Sequence, residues 1–134
     1  MNKSLDNHLV SSYYLNRWRE ESEMADLTRL EEQIMLSVWR LDGQAYGISI
    51  YQHIKQITKK NMAIGGIYFP LERLVKKGFL EAQKGEPTPV RGGQSKRYYR
   101  VTELGKEQLF KTKAVQEAFW KGLPPRHSVE GESG

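Results

Sequence analysis

Residues 63–102 constrain the fold more than any other stretch, because a helical pattern there runs directly into the pattern of a β-hairpin. The apolar residues first repeat at helical spacing, at Ile64, Ile67, Leu71 and Leu74. This predicts a helix over Ile64–Lys77, and Gly78 provides a natural end for it. Two predicted strands follow, over Phe79–Lys84 and Lys96–Val101, and the loop between them contains Arg-Gly-Gly. A helix that leads into two strands joined by such a loop is typical of a winged helix.

Three further helices are predicted around this unit. The first spans Thr28–Leu41, the second spans Gly47–Lys59, and Thr102 is the N-cap of a last helix that ends near Lys121. The residues expected to face the core are Leu30, Ile34, Met35, Val38, Trp39 and Leu41 on the first helix, and Ile50, Ile54 and Ile57 on the second. Pro70 disfavours helical geometry at the preceding residue, so the third helix is expected to start late or to bend there.

Positive charge is concentrated in the second and third helices and the hairpin. The net charge of the chain is +5; residues 42–83 carry six Lys and Arg against three acids, and residues 84–101 carry five against one. The remaining segments are neutral or acidic. A surface charged only for solubility mixes both signs, so segregated positive charge favours an anionic partner such as double-stranded DNA. On charge alone, a merely solvated basic face remains the alternative.

Other classes of function are disfavoured. The chain has no cysteine, and His8, His53 and His127 have no spaced partners for a metal site or a catalytic triad. We therefore expect no enzyme activity, no metal and no cofactor. No apolar stretch approaches the roughly 20 residues of a membrane span, and no signal peptide is visible, so we expect a cytoplasmic protein without a membrane partner.

These observations predict a mainly α (α+β) fold: a winged helix-turn-helix with a two-stranded β wing and a C-terminal dimerisation helix. The expected organisation is an N-terminal extension, partly helical, over 1–26, a winged-helix DNA-binding domain over 27–101, the C-terminal dimerisation helix over 102–121, and a flexible tail over 122–134. The last helix is assigned to dimerisation because its apolar residues spread around most of its circumference.

Seven residues are candidates for DNA contact. They are Tyr68, Arg73, Lys76 and Lys77 on the third helix, and Arg91, Lys96 and Arg97 on the wing. Two of them have an equally good structural explanation: Arg73 could pair with Glu72 or Glu103, and Tyr68 could be a tyrosine at the edge of the core. The wing residues serve DNA more readily, because a loop bounded by proline and glycine has little core to support.

Four segments together resemble the PadR family of bacterial transcription regulators: AYGISIYQHI, GGIYFPLERLVKKGFL, GEPTPVRGGQSKRYYRVT and ELGKEQL. The resemblance covers Leu30 to Leu109 in order and spacing, and fits the small members with a single C-terminal helix. It implies a homodimeric winged-helix repressor whose third helix and wing contact operator DNA, with release by a small molecule or stress signal in some members. Against the family pattern, Ala63 replaces a serine, Phe69 is inserted between the usual tyrosine and proline, and Gln94 replaces a basic residue.

The resemblance also implies a site for a small apolar or aromatic effector between subunits. The candidates for a dimer interface or a ligand pocket are Trp39, Leu109, Val115, Phe119 and Trp120. Ordinary packing of these residues at an interface is the favoured alternative to a ligand site. For the whole chain, the alternative to a sequence-specific DNA-binding regulator is a winged helix used for contact with a protein or RNA.

Overall fold

The computed structural model describes residues 26–85 and 96–126. Four α-helices and one hairpin follow each other in the described residues: α1 Arg29–Leu41, α2 Gly47–Thr58, α3 Tyr68–Lys76, β1 Leu80–Lys84, β2 Arg97–Val101 and α4 Glu103–Trp120. A short 3-10 helix, Ile64–Ile67, precedes α3. This arrangement confirms the predicted fold class. The predicted N-terminal extension up to residue 25, the loop 86–95 with Arg91, and the tail beyond residue 126 lie outside the described residues.

The start of α1 carries a reciprocal cap that ties local structure to the core. The hydroxyl of Thr28 accepts a hydrogen bond from the N–H of Glu31, and the Glu31 carboxylate accepts one from the N–H of Thr28. Both bonds satisfy N–H groups that have no partner within the helix. Thr102 caps α4 through a single hydrogen bond, which its hydroxyl accepts from the N–H of Gly105, and this confirms the predicted N-cap.

The third helix starts late, as Pro70 suggests. Residues Ile64–Ile67 form a 3-10 turn, and α3 begins only at Tyr68, so that Pro70 falls in the first turn, where an N–H group is not needed. The helix ends at Lys76, and Gly78 follows with a φ of +81°. This left-handed conformation lets the chain turn directly into β1.

The two strands pair antiparallel, with Leu80 opposite Val101 and Lys84 opposite Arg97. The segment before α2 extends this sheet by one bridge, between Tyr46 and Tyr98. The N–H of Tyr99 donates to the carbonyl of Ala45 at 2.8 Å, and Ala45 is fully buried. The wing base is therefore fixed against the start of α2.

One hydrophobic core joins all the elements. Its buried members are Ile34, Met35, Val38, Ala45, Ile50, Ile54, Ile67, Leu71, Leu74, Phe79, Leu80, Tyr99, Val101 and Leu109. The prediction that Ile57, Trp39 and Ile64 face the core is wrong. Ile57 is 65% exposed, Trp39 is 39% exposed and Ile64 is 38% exposed. Ile57 lies in the last turn of α2, and Ile64 lies in the 3-10 turn that replaces the first turn of the predicted helix.

The last helix packs along α1 in the opposite direction. Phe110 contacts Trp39 edge to face, with ring centroids 6.0 Å apart, and Gln116 donates to the carboxylate of Glu32 at 3.1 Å. Gly105 lets the start of α4 lie close to the backbone before β1, because a Cβ there would lie 2.2 Å from the carbonyl oxygen of Phe79. Within the described part of the chain, no helix is long and apolar enough to cross a membrane.

Candidate nucleic-acid interface

The outward face of α3, defined here as Phe69, Glu72, Arg73 and Lys76, follows the three- and four-residue spacing of one helix side. The opposite side buries Pro70, Leu71 and Leu74. Phe69 is 74% exposed and Lys76 is also exposed. This side of α3 is therefore open along its length to a partner.

Two of the predicted DNA contacts on α3 pair with one buried carboxylate. Arg73 Nε lies 2.8 Å and Lys77 Nζ 3.3 Å from Glu31 Oε2, and the Glu31 side chain is only 1% exposed. Arg73 therefore does form a structural ion pair, but its partner is Glu31 on α1 rather than Glu72 or Glu103. These bonds connect the start of α1 to the middle and end of α3.

The environment keeps Glu31 ionised. Burial by itself raises the pKa of this carboxyl group, since a charged group loses its hydration. The hydrogen bonds from Arg73 and from the N–H of Thr28, together with the charge of Lys77, outweigh burial and bring the pKa below its ordinary value. The carboxylate is thus a charged anchor for two cations of α3.

A second ion pair connects α3 to the wing. Arg97 at the start of β2 donates to the carboxylate of Glu72, and its guanidinium also lies 5.5 Å from the ring centroid of Tyr99. Burial raises the pKa of the Tyr99 phenol above its ordinary value. The charge of Arg97 lowers this pKa and the charge of Glu72 raises it, but burial has the largest effect. Arg97 therefore fixes the base of the wing against α3.

Two of the predicted contacts remain available as cations. Lys76 is exposed and forms no ion pair within the described residues. Lys96 is also exposed, its Nζ lies 4.2 Å from the ring centroid of Tyr46, and it forms no ion pair with any residue in the described part of the chain. Exposed lysines of this kind are suited to phosphate contacts.

The start of α3 meets the base of the wing at a small cleft. Tyr68, Lys96 and Arg97 line it together with Tyr46, Gly47, Ile48 and Tyr99. Tyr68 is 46% exposed, and its ring lies directly over Gly47, because a Cβ at that position would be 2.6 Å from the phenol oxygen. Three predicted contacts are thus brought together, and the role of Gly47 in placing Tyr68 is not visible in the sequence.

The candidates for an interface or a ligand pocket separate into three places. Leu109 is buried in the core of its own chain, with 4% of its surface exposed. Trp39 borders an open cleft of about 1020 Å³ between α1, the hairpin and α4, and Lys106 Nζ lies 5.1 Å from its ring centroid. Val115, Phe119 and Trp120 are 56%, 79% and 72% exposed.

The length of α4 separates Trp39 from the aromatic residues at the end of that helix. Trp39 contacts Phe110, and Trp120 lies ten residues further along the helix, about 15 Å at the rise of an α-helix. Within one chain, Trp39 and Trp120 therefore do not share a pocket. The exposed apolar end of α4, defined as Val115, Phe119 and Trp120 together with Leu123 just after the helix, forms a separate surface.

Comparison with known proteins identifies the family. The model of the transcriptional regulator PadR-like family matches residues 35–111, more than half of the chain. The chain belongs to this family. PadR-family members are transcriptional regulators and not enzymes, which confirms both the predicted family and the prediction that the chain is not an enzyme.

Individual proteins are also similar to this chain. An uncharacterized protein of Lysinibacillus sphaericus is 33% identical over 92 residues, which are 62% of this chain and 82% of the relative. A solved structure from Streptococcus mutans is 26% identical with a TM-score of 0.56, covering 76% of this chain and 87% of that one. A PadR-like transcription factor from Bacteroides fragilis has a TM-score of 0.59 at 23% identity, covering 86% and 97%, and supports the fold.

Proposed function

We propose that this PadR-family regulator is a dimeric repressor that binds specific DNA sequences through the outward face of α3 and through the wing. The observation that carries the proposal is that this face is open, with exposed Phe69 and Lys76 on α3 and exposed Lys96 at the base of the wing. The major groove of DNA is about 12 Å wide and admits one α-helix.

The basic residues of α3 and the wing have two different roles. Lys76, Lys96 and the wing residue Arg91 contact phosphates, which sets the register of the protein on the duplex without reading sequence. Arg73, Lys77 and Arg97 add to the positive field while their ion pairs hold α3 and the wing in place. Tyr68, at the start of α3, reaches a phosphate or a base edge.

The dimer forms through α4. An exposed apolar end with Phe119, Trp120 and Leu123 is costly on an isolated chain and suits a subunit interface. A two-fold dimer requires a nearly palindromic operator, with half-sites about one or two helical turns apart and about 10 bp per turn.

A small apolar or aromatic molecule, or a stress signal, releases the DNA. A planar ligand bound against Trp120 would quench tryptophan fluorescence, and Trp120→Ala would lose that quenching. If every planar compound tested leaves the fluorescence of the wild type unchanged, the aromatic residues of α4 serve only the interface.

Fluorescence anisotropy with the promoter DNA just upstream of the gene tests the proposal. We expect tight binding that survives random competitor DNA and weakens steeply with salt, since phosphate contacts release counterions. Arg91→Ala should weaken binding to all DNA alike, and an unchanged affinity would contradict the role of the wing. Equal, weak binding to both DNAs would contradict operator binding at this site and favour a winged helix with a protein partner.

A further inference from the structure

Phe69 is a large apolar side chain on α3 that does not pack into the core of the protein. It is the second residue of α3, and 74% of its surface is exposed. Neighbouring apolar groups are also partly exposed: Tyr68 by 46% and Ile64, in the preceding 3-10 turn, by 38%. Ile48, which shares a cleft with Tyr68, is 47% exposed. The start of α3 therefore presents an apolar surface to solvent, surrounded by cations.

Two of the three polar side chains of the outward face, Glu72 and Arg73, form ion pairs within the protein. Arg73 donates its Nε to Glu31, and Glu72 accepts from Arg97. Both side chains are thus committed to internal ion pairs in the turn that follows Phe69. The Arg73 guanidinium also lies 5.5 Å from the ring centroid of Phe69, which keeps the aromatic ring against the helix. The most exposed apolar group that this face offers to the floor of a groove is the aromatic ring of Phe69.

The positive charges near the Phe69 ring indicate which kind of partner this surface fits. Lys76 follows Phe69 by seven residues, about 10 Å along the helix axis, and Lys96 lies at the nearby base of the wing. An apolar contact between cations that suit phosphates fits duplex DNA better than an apolar protein surface. In the major groove, the apolar group on a base edge is the C5 methyl group of thymine, and phenylalanine is a side chain that contacts it.

We propose that Phe69 is a specificity-determining residue that reads a thymine methyl group in each operator half-site. The position supports this, because residues near the start of a recognition helix are the ones that reach base edges. The inference rests on the proposed DNA-binding function and adds the base that α3 selects. Burying one methyl group changes an affinity about fourfold, so two half-sites together contribute about fifteenfold.

The test uses the full-length protein and needs no knowledge of the operator. Binding sites are first selected from a pool of random duplexes with the wild type. Each thymine of the selected site is then replaced in turn by deoxyuridine, which lacks only the methyl group, and affinities are measured by anisotropy. We expect one thymine per half-site whose replacement weakens binding about fourfold, and about fifteenfold when both are replaced.

Three variants assign the effect to the side chain. Phe69→Ala should bind thymine and deoxyuridine sites within about twofold of each other, while Phe69→Leu keeps an apolar contact and part of the preference. Ile57→Ala removes another exposed apolar side chain, on α2, and should behave as the wild type. A thermal melt for each variant checks folding, which an exposed residue is not expected to alter.

The outcomes separate the inference from the function on which it rests. If the wild type enriches no sequence, the proposed function itself fails, and the inference fails with it. If the wild type enriches a site that is indifferent to deoxyuridine, or if Phe69→Ala keeps the full preference, DNA binding stands and the reading of thymine by Phe69 is overturned.

Discussion

The ion pairs of α3 and those of α4 differ in what they connect. On α3, Arg73 and Lys77 reach a buried carboxylate on α1 that lies 42 and 46 residues earlier in the chain. On α4, Lys111 pairs with Glu107 and Lys113 with Glu117, both at 3.7 Å within the same helix and exposed by about two thirds. The ion pairs of α3 fix this helix relative to α1, whereas the two pairs of α4 join exposed side chains of the same helix.

This difference indicates which part of each helix carries its proposed function. Ion pairs to α1 add to the core packing of Leu71 and Leu74, and together they hold the outward face of α3 in place to read a groove. The charges of α4 do little for the fold, and its exposed aromatic end carries the proposed function of that helix.

The exposed end of α4 should control dimer stability. The double variant Phe119→Ala/Trp120→Ala removes four aromatic anchors from a two-fold dimer, two in each subunit, so at about 1 kcal/mol each the dimer dissociation constant should rise about a thousandfold. Sedimentation equilibrium measures this constant, and Ile57→Ala on α2 is the control. A double variant that dimerises as tightly as the wild type would exclude this surface as the interface.

The carboxylate of Glu31 should matter more than any carboxylate of α4. Glu31→Gln keeps a side chain able to complete the helix cap, but it leaves Arg73 and Lys77 without their counter-ion. Since Arg73 is partly exposed to water, we expect a loss of about 2 kcal/mol in the free energy of unfolding, less than for a fully buried pair. Glu117→Gln on α4 should cost less than about 0.5 kcal/mol.

Urea unfolding followed by circular dichroism gives both values. If Glu31→Gln and Glu117→Gln were equally mild, the buried cluster would not anchor α3, and the contrast between the two helices would disappear.

The same cluster predicts a dependence on pH. The pKa of Glu31 is lower in the folded protein than its ordinary value of 4.5, so its stabilisation is fully present above that value. It is lost as the pH falls through the folded-state pKa. Between about pH 6 and about pH 3, the wild type should therefore lose about 1 kcal/mol more stability than Glu31→Gln. Parallel unfolding curves for the two proteins over this range would contradict the assignment.

Gly47 should affect DNA binding more than stability. In Gly47→Ala the new Cβ displaces the ring end of Tyr68, which is flexible and half exposed, so we expect a change of less than about 1 kcal/mol in unfolding free energy. Moving Tyr68 at the start of α3 should weaken operator binding about tenfold, the value of roughly one base or phosphate contact. Gly43→Ala would not serve as a control, since Gly43 has a positive φ. Gly66→Ala, where a Cβ meets open space, is the matched substitution.

The sequence predicts the elements well because their signals are local. Helical spacing, the N-cap residue Thr102, and glycine at the end of α3 depend on neighbours along the chain. The same spacing does not say how far the core extends, and for that reason Ile57 and Ile64 were expected to be buried and are not.

The site depends more on tertiary packing. The sequence contains Glu31, Arg73 and Lys77, but nothing in their spacing says that α1 and α3 cross where these side chains meet. The contact of Gly47 with Tyr68 has the same origin. Leu109 also shows this limit: it was grouped with the interface residues of α4, and the structure buries it within its own chain because α4 packs along α1.

The most direct test of the account is the salt dependence of affinity for operator DNA with three proteins: the wild type, Lys76→Ala on α3 and Lys111→Ala on α4. Removing one phosphate contact lowers the slope of log affinity against log salt by about 0.9, so a dimer that loses one contact in each half-site should show a slope lower by about 1.8. We predict this change, with equal weakening on all DNA sequences, for Lys76→Ala, and no change for Lys111→Ala. Identical slopes for all three proteins, or a larger change for Lys111→Ala, would contradict DNA binding through the outward face of α3.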